Sequence, residues 1–91
     1  MVVQKVLDGL IDKKVEKILK LFFENKTELF HINSVSKRSG VPLATAFRII
    51  KKLADLEIIT AVEVGKFKIY KLNVDEKTEL LARLLSNLKF P

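Results

Sequence analysis

The most regular pattern of apolar positions along the chain predicts a helix over residues 42–56. A shorter helix is predicted over residues 31–39. The turn at Gly40–Val41 separates the two, because glycine readily adopts the positive φ of a helix end. Pro42 suits the first position of the longer helix, where an N–H is not required. Two helices joined by a glycine corner form the helix-turn-helix pattern. The apolar side chains of the longer helix recur at spacings of three and four, on one face: Ala46, Ile49, Ile50, Leu53 and Leu56.

A β-hairpin is predicted directly after this pair of helices. Residues 58–64 and 67–72 are rich in β-branched and apolar side chains, and Gly65–Lys66 between them is a two-residue turn signal. The outer face of the second strand is expected to be exposed unless another part of the molecule covers it. Strand alternation places Tyr70 and Leu72 toward the helices and Phe67 and Ile69 on that outer face.

Apolar stripes also predict helices at both ends of the chain. The first stripe keeps one phase through residues 2–24, so the sequence leaves open whether this is one helix or two, with Asp12 as the cap between them. The last helix is predicted to start with Asn73 as its cap and Glu76 at the third helical position, and to run to about Leu88. Its leucine stripe needs a partner, either the N-terminal helix of the same chain or a second copy across a two-fold axis.

The segment Gly40–Leu53, with the sequence GVPLATAFRIIKKL, resembles the recognition-helix segment of winged helix-turn-helix regulators. The resemblance is closest to the IclR type, is looser to the MarR and ArsR types, and covers roughly residues 12–72. It implies a fold that is mostly α with a small antiparallel β-hairpin, the wing, and it places a short first strand at Leu29–Phe30. One position departs from the pattern, because Glu57 stands where these families commonly have Gly. A left-handed residue with a Cβ is disfavoured, so the recognition helix is expected to end differently.

The resemblance further implies a single domain, residues 1–91, with the winged core between two terminal segments. These segments, residues 1–11 and 73–91, are expected to form a homodimer, because the terminal helices of such small regulators usually do so. A chain of this length has no room for the large effector domain that IclR regulators carry. The side chains expected at the dimer interface are apolar: Val3, Leu7, Leu10, Leu81, Leu84, Leu85 and Leu88.

Positive charge is concentrated in the predicted helix-turn-helix and hairpin. Of the net charge of +6, residues 29–72 contribute +5, from eight basic and three acidic side chains. This is the part of a winged domain that would meet the phosphates of a duplex. The alternative interpretation is a solvated basic surface without a ligand.

Candidate DNA contacts lie on the face of the longer helix opposite its apolar stripe, on the preceding helix and on the hairpin. Thr45 and Arg48 are expected to reach base edges in the major groove, where arginine pairs bidentately with guanine. Phe47 has an alternative position in the core. Apolar contacts to thymine methyl groups or sugars are expected from Leu43, Ala44 and Phe47, and phosphate contacts from Lys37, Arg38, Lys51, Lys52, Lys66 and Lys68.

Catalytic and metal-binding patterns are absent from the sequence. It has no Cys, which excludes disulfides and thiolate metal sites, and its single His, His31, is expected to cap the helix that follows it. Neither a cofactor nor a metal is expected, and the protein is not expected to be an enzyme. No apolar run approaches the roughly 18 residues of a membrane span, and no signal-peptide pattern is present, so a cytoplasmic location is expected.

The sequence therefore predicts a cytoplasmic homodimer that binds specific sites in double-stranded DNA and regulates transcription. The alternative is a winged-helix module for protein–protein interaction in a larger assembly, in which the apolar residues near the start of the recognition helix contact a partner chain. Salt dependence distinguishes the two, because phosphate contacts make affinity fall steeply with salt and an apolar interface does not.

Overall fold

The computed structural model describes residues 12–86. Their elements in chain order are α1 (Lys13–Glu24), β1 (Phe30–His31), α2 (Ile32–Ser39), α3 (Leu43–Asp55), β2 (Ile59–Val64), β3 (Phe67–Leu72) and α4 (Glu76–Ser86). The sheet is antiparallel with the strand order β1-β3-β2, and α1, α2 and α3 pack against it. This is a winged helix-turn-helix, mostly helical with a small antiparallel sheet, as the sequence predicts.

Asp12 determines where α1 begins. Its backbone is extended, with φ −62° and ψ 139°, and its carboxylate accepts a hydrogen bond of 2.7 Å from the backbone N–H of Lys14. An extended residue followed by a side-chain cap starts a new helix, so one continuous helix through this point is excluded. The predicted helix over the preceding residues lies outside the described part of the chain. The inner face of α1 is buried and consists of Ile18, Leu19, Leu21, Phe22 and Phe23.

The corner between α2 and α3 is held by serine side chains. Gly40 has φ 77°, the left-handed conformation predicted for this position. The hydroxyl of Ser36 donates to the carbonyl oxygen of Val41 at 2.6 Å, and the backbone N–H of Val41 donates to the hydroxyl of Ser39 at 3.2 Å. Pro42 is the N-cap of α3 and not its first helical residue, so the helix begins one position later than predicted.

The first strand and α2 meet at two residues that the sequence singles out. Phe30 pairs with Tyr70 across the sheet, which confirms a short strand here, shifted one residue beyond the predicted segment. His31 caps α2 as expected, because its Nδ1 accepts a hydrogen bond of 3.3 Å from the backbone N–H of Asn33. Phe30 is buried against the ring of Phe22, at a centroid separation of 4.7 Å in an edge-to-face arrangement. This contact joins α1 to the sheet.

The end of α3 corrects the sequence expectation for Glu57. This residue has φ 60°, so it adopts the left-handed conformation despite its Cβ. The N–H of Glu57 donates to the carbonyl oxygen of Ala54 at 3.0 Å, and the N–H of Ile58 donates to that of Leu53 at 2.9 Å. These two bonds form a Schellman motif, the usual ending of a helix on a glycine. Leu56, predicted on the buried face, is 56% exposed because the chain turns away at this residue.

Asn73 explains how Glu57 is held. It was expected to cap α4, but its side-chain nitrogen donates to the carbonyl oxygen of Glu57 at 2.6 Å, and its side-chain oxygen accepts a hydrogen bond from Thr60. The cap of α4 is instead Asp75, whose carboxylate accepts from the N–H of Thr78 at 2.9 Å. Asn73 therefore ties the end of the sheet to the end of the recognition helix.

We expect Glu57→Gly to raise the free energy of unfolding by about 0.5–1 kcal/mol. Glycine relieves a left-handed penalty of roughly 1–2 kcal/mol, and its greater freedom in the unfolded chain offsets part of that gain. Urea unfolding measures the change. Asp55→Gly, two residues earlier in the last turn of α3, is the matched control and should lower stability by about 0.5–1 kcal/mol. Equal losses for both variants would show that Glu57 is not strained.

The hairpin follows the predicted strands closely. Val64 pairs with Phe67, so two residues form the turn, and Gly65 at its first central position has φ 61°. A glycine with positive φ at this position is typical of a type II′ turn, which matches the twist of a hairpin. The expected inner face is confirmed, because Tyr70 and Leu72 are both buried in the core.

Candidate nucleic-acid interface

The outward face of α3 can be derived from its buried face. Its buried residues are Ala46, Ile49, Ile50 and Leu53. At 100° per residue, the side chains that point directly away from them are Ala44, Arg48, Lys51 and, in the last turn, Asp55, and all four are exposed. Arg48 thus lies at the centre of the exposed face, in the first half of the helix. The structure supports the predicted position of Arg48.

Thr45 lies at the side of this face and not at its centre. It is half-buried and faces the beginning of α1, as does Lys52 two turns later. On the opposite side lie Leu43 and Phe47, each 48% exposed, which excludes the alternative that Phe47 belongs to the core. The exposed face therefore has a basic centre, a polar edge toward α1 and an apolar edge.

The two basic residues near the end of α2 differ in their environment. Lys37 is exposed. Arg38 donates a hydrogen bond to the carboxylate of Glu28 and lies over the ring of Phe30, with its guanidinium carbon 5.0 Å from the ring centroid. This is the only ion pair within residues 12–86, so a phosphate would compete with Glu28 for Arg38. Arg38 is less free for a DNA contact than its position in the sequence suggests.

The wing presents basic and apolar side chains. Lys66 is exposed in the turn, and Lys68 is exposed on β3 opposite Glu63. Val62, Val64, Phe67 and Ile69 share the outer face of the two long strands, since Val62 pairs with Ile69 and Val64 pairs with Phe67. Phe67 is exposed, as expected, and makes an edge-to-face contact with His31 at a centroid separation of 6.2 Å.

A cleft lies between the beginning of α1 and the recognition helix. It encloses about 250 Å³. Four of its residues are charged, and they come from both helices. Lys14 belongs to this site, but no sequence pattern indicates it, because only the packing of α1 on α3 brings the two segments together. The lining residues are Asp12, Lys14, Val15, Thr45, Arg48, Ile49 and Lys52.

The predicted dimer residues have mixed surroundings. Leu81 packs partly against the core of its own chain. Leu84 is exposed, and so is Leu80, one turn before it on α4. The position of the remaining predicted interface residues is not described, because Val3, Leu7, Leu10 and Leu88 lie outside residues 12–86 and the side chain of Leu85 is outside the described set.

Three further properties of the described residues concern metal binding, membrane contact and ionisation. Among residues 12–86, no group of His, Cys, Asp or Glu side chains could hold a metal ion. In the same part of the chain, no helix has the length and apolar character needed to cross a membrane. Burial raises the pKa of the Tyr70 phenol above its ordinary value of 10.0, so this side chain is neutral near pH 7 and acts as a core residue.

Comparison with solved structures agrees with this architecture. AF1382 from Archaeoglobus fulgidus has a TM-score of 0.70 and 20% sequence identity, over 89% of this chain and 90% of that protein. A possible transcriptional regulator from Methanosarcina mazei Go1 has a TM-score of 0.69 and 18% identity, over 96% of this chain and 79% of that protein. The shared fold is the winged helix-turn-helix. No protein-family model and no curated protein sequence matches the chain.

Proposed function

We propose that the protein is a small transcriptional regulator that binds specific sites in double-stranded DNA. The observation that carries this proposal is the basic centre of the outward face of α3. Arg48 and Lys51 are exposed there, and neither forms an ion pair with another residue of the described chain. A helix with such a face, in a helix-turn-helix with a basic hairpin beside it, suits insertion into the major groove.

In the proposed complex, α3 enters the major groove and the wing lies against the flanking minor groove. Arg48 pairs with a guanine through two hydrogen bonds, and Ala44 contacts a neighbouring thymine methyl group or sugar. Lys51, Lys66 and Lys68 contact phosphates, which fixes the position of the protein without reading sequence. Regulation would then be steric, by occupation of the site in the cytoplasm. Assignment to the IclR, MarR or ArsR type remains a prediction.

Binding of the full chain to random duplex DNA over a series of salt concentrations tests this function. Each phosphate contact contributes about −0.9 to the slope of log affinity against log salt. We expect a linear decrease with a slope of several units, and enrichment of one sequence when bound fragments are selected from a random pool. Affinity that does not change with salt would contradict DNA binding.

A second candidate function is protein–protein interaction, and it is favoured by a specific observation. Leu43 and Phe47 leave about half of their surface exposed at the apolar edge of α3. Exposed apolar side chains that lie together often mark a protein contact. In that case Phe47→Ser would abolish partner binding, and the protein would have little salt-dependent affinity for DNA.

We also propose that the protein acts as a homodimer through α4. Leu80 and Leu84 are exposed one turn apart on the same stripe, and a two-fold pairing of such stripes would cover both. Two recognition helices would then reach successive major grooves.

The double substitution Leu84→Glu with Leu88→Glu is expected to convert the dimer to a monomer, because it buries carboxylates in an apolar interface. Sedimentation equilibrium measures the mass. Leu81 is left unchanged, since it packs against the core of its own chain. Val74→Glu, at an exposed apolar position before α4, is the control and should leave the mass unchanged. A wild-type chain that is monomeric at tens of micromolar would refute the dimer.

A further inference from the structure

The cleft between α1 and α3 concentrates positive charge. Lys14 reaches it from the first turn of α1, and Arg48 and Lys52 reach it from α3. Within residues 12–86, none of these three cations forms an ion pair. The one carboxylate in the cleft, that of Asp12, accepts the backbone N–H of Lys14, and it leaves a net charge of +2 from the four charged side chains.

The size and the lining of the cleft restrict its ligand. Its volume of about 250 Å³ lies below the roughly 300–1,000 Å³ of pockets for drug-sized molecules, which favours a small group. Val15 and Ile49 form apolar parts of the wall, and electrostatic attraction is stronger next to such surface than in bulk water. The single carboxylate of Asp12 does not balance the three cations, which therefore repel each other unless an anion lies between them.

We infer that this cleft is an oxyanion site that takes one phosphate group. The ammonium groups of Lys14 and Lys52 provide point charges for a phosphate of any origin. The planar fork of N–H donors of Arg48 matches two oxygens of a free phosphate, whereas on DNA it is directed at the base. Thr45, half-buried at the same edge, adds a hydroxyl donor. The phosphate comes either from the DNA backbone, in which case the inference rests on the proposed function, or from free phosphate or a phosphate ester.

An occupied cleft would have a consequence for recognition. A backbone phosphate held between α1 and α3 would fix the depth and the register of α3 in the groove. Lys14 would then be a positioning residue for Arg48, because it holds the backbone next to the base that Arg48 reads. Free phosphate in the same cleft would compete with the duplex for Arg48 and Lys52.

The test uses the full chain and two substitutions on α1. Lys14→Gln removes a cation of the cleft, and it leaves the helix cap intact because Asp12 binds the backbone of Lys14 and not its side chain. Lys17→Gln removes an exposed cation of the same helix that does not line the cleft, and it serves as the matched control.

The first measurement is a titration with inorganic phosphate, followed by ¹H–¹⁵N correlation spectra, against sodium chloride at equal ionic strength. We expect saturable shifts of the amide signals of Lys14, Thr45 and Arg48. These shifts should be lost in Lys14→Gln and kept in Lys17→Gln. This measurement does not depend on DNA binding, so it decides on the cleft even if the proposed function fails.

The second measurement is the salt dependence of binding to duplex DNA. If the backbone supplies the phosphate, Lys14→Gln should weaken binding to specific and scrambled duplexes alike and reduce the salt slope by about 0.9 more than Lys17→Gln does. Phosphate-induced shifts without this effect on DNA would assign the cleft to free phosphate or a phosphate ester. The inference is overturned if phosphate causes no localised shift and the two variants bind DNA equally. Absence of any salt-dependent DNA binding by the wild type would overturn the proposed function instead.

Discussion

Arg48→Ala is expected to weaken binding to the preferred duplex by ~1–3 kcal/mol and to change binding to a scrambled duplex much less. The reason is the position of Arg48 at the centre of the exposed face of α3, where it forms no ion pair with a described carboxylate. The substitution removes a bidentate pair with guanine, and that pair forms only on the duplex that has a guanine at this position. The measurement is a binding titration at several salt concentrations, on the duplex enriched by selection and on a scrambled duplex of equal length.

Lys68→Ala on the wing is the comparison for this prediction. It should weaken binding to both duplexes equally and reduce the salt slope by about 0.9, because a phosphate contact carries no sequence information. If Arg48→Ala also weakens binding to both duplexes equally, Arg48 contacts a phosphate, and the prediction that it reads a base is wrong. If neither substitution alters DNA binding, the protein–protein interaction function becomes the better explanation of this surface.

The parts of the fold that the sequence predicted correctly depend on local patterns. The spacing of Ala46, Ile49, Ile50 and Leu53 is a property of one helix, and all four are buried. The hairpin depends on two alternating strands and on Gly65, whose positive φ the turn requires. The corner after α2 depends in the same way on Gly40. In each case the residues that determine the conformation are neighbours in the chain.

The errors arose where the conformation depends on residues that are distant in sequence. Glu57 adopts a left-handed conformation that its own residue type disfavours, and the amide of Asn73, sixteen positions later, binds its carbonyl oxygen. The residues around Asn73 are typical of a helix start, but its side chain is hydrogen-bonded to the carbonyl oxygen of Glu57 and to the hydroxyl of Thr60. No local pattern distinguishes an asparagine that caps the following helix from one that bridges to an earlier helix.

The candidate site shows the same division. The exposure of Arg48 and Lys51 follows from the period of one helix, so the sequence was sufficient to predict it. Arg38 has a partner ten positions earlier, Glu28, whose proximity depends on how β1 is placed. The cleft forms only when α1 packs on α3, so the sequence did not predict that Lys14 belongs to the site. The sequence thus predicted which residues are outward on α3 and not which elements lie beside them.

The largest effect on stability is expected at the contact that joins α1 to the sheet. Phe30→Ala should reduce the free energy of unfolding by about 3–5 kcal/mol, the range for removing a buried phenylalanine ring. Only 1% of Phe30 is exposed, its ring packs edge-to-face on Phe22, and Arg38 covers it at 5.0 Å. Truncation would leave a cavity and would also remove the surface that positions Arg38.

The neighbouring residue provides the control. Leu29→Ala changes a side chain that is 57% exposed and should alter stability by no more than about 0.5 kcal/mol. Urea unfolding followed by circular dichroism measures both variants. The free energy of unfolding of a small domain is about 5–15 kcal/mol in total, so Phe30→Ala would leave a large unfolded fraction at elevated temperature. Equal effects of the two substitutions would contradict the packing of β1 on α1. DNA binding by Leu29→Ala should match the wild type, whereas Phe30→Ala should lose affinity in proportion to its unfolded fraction.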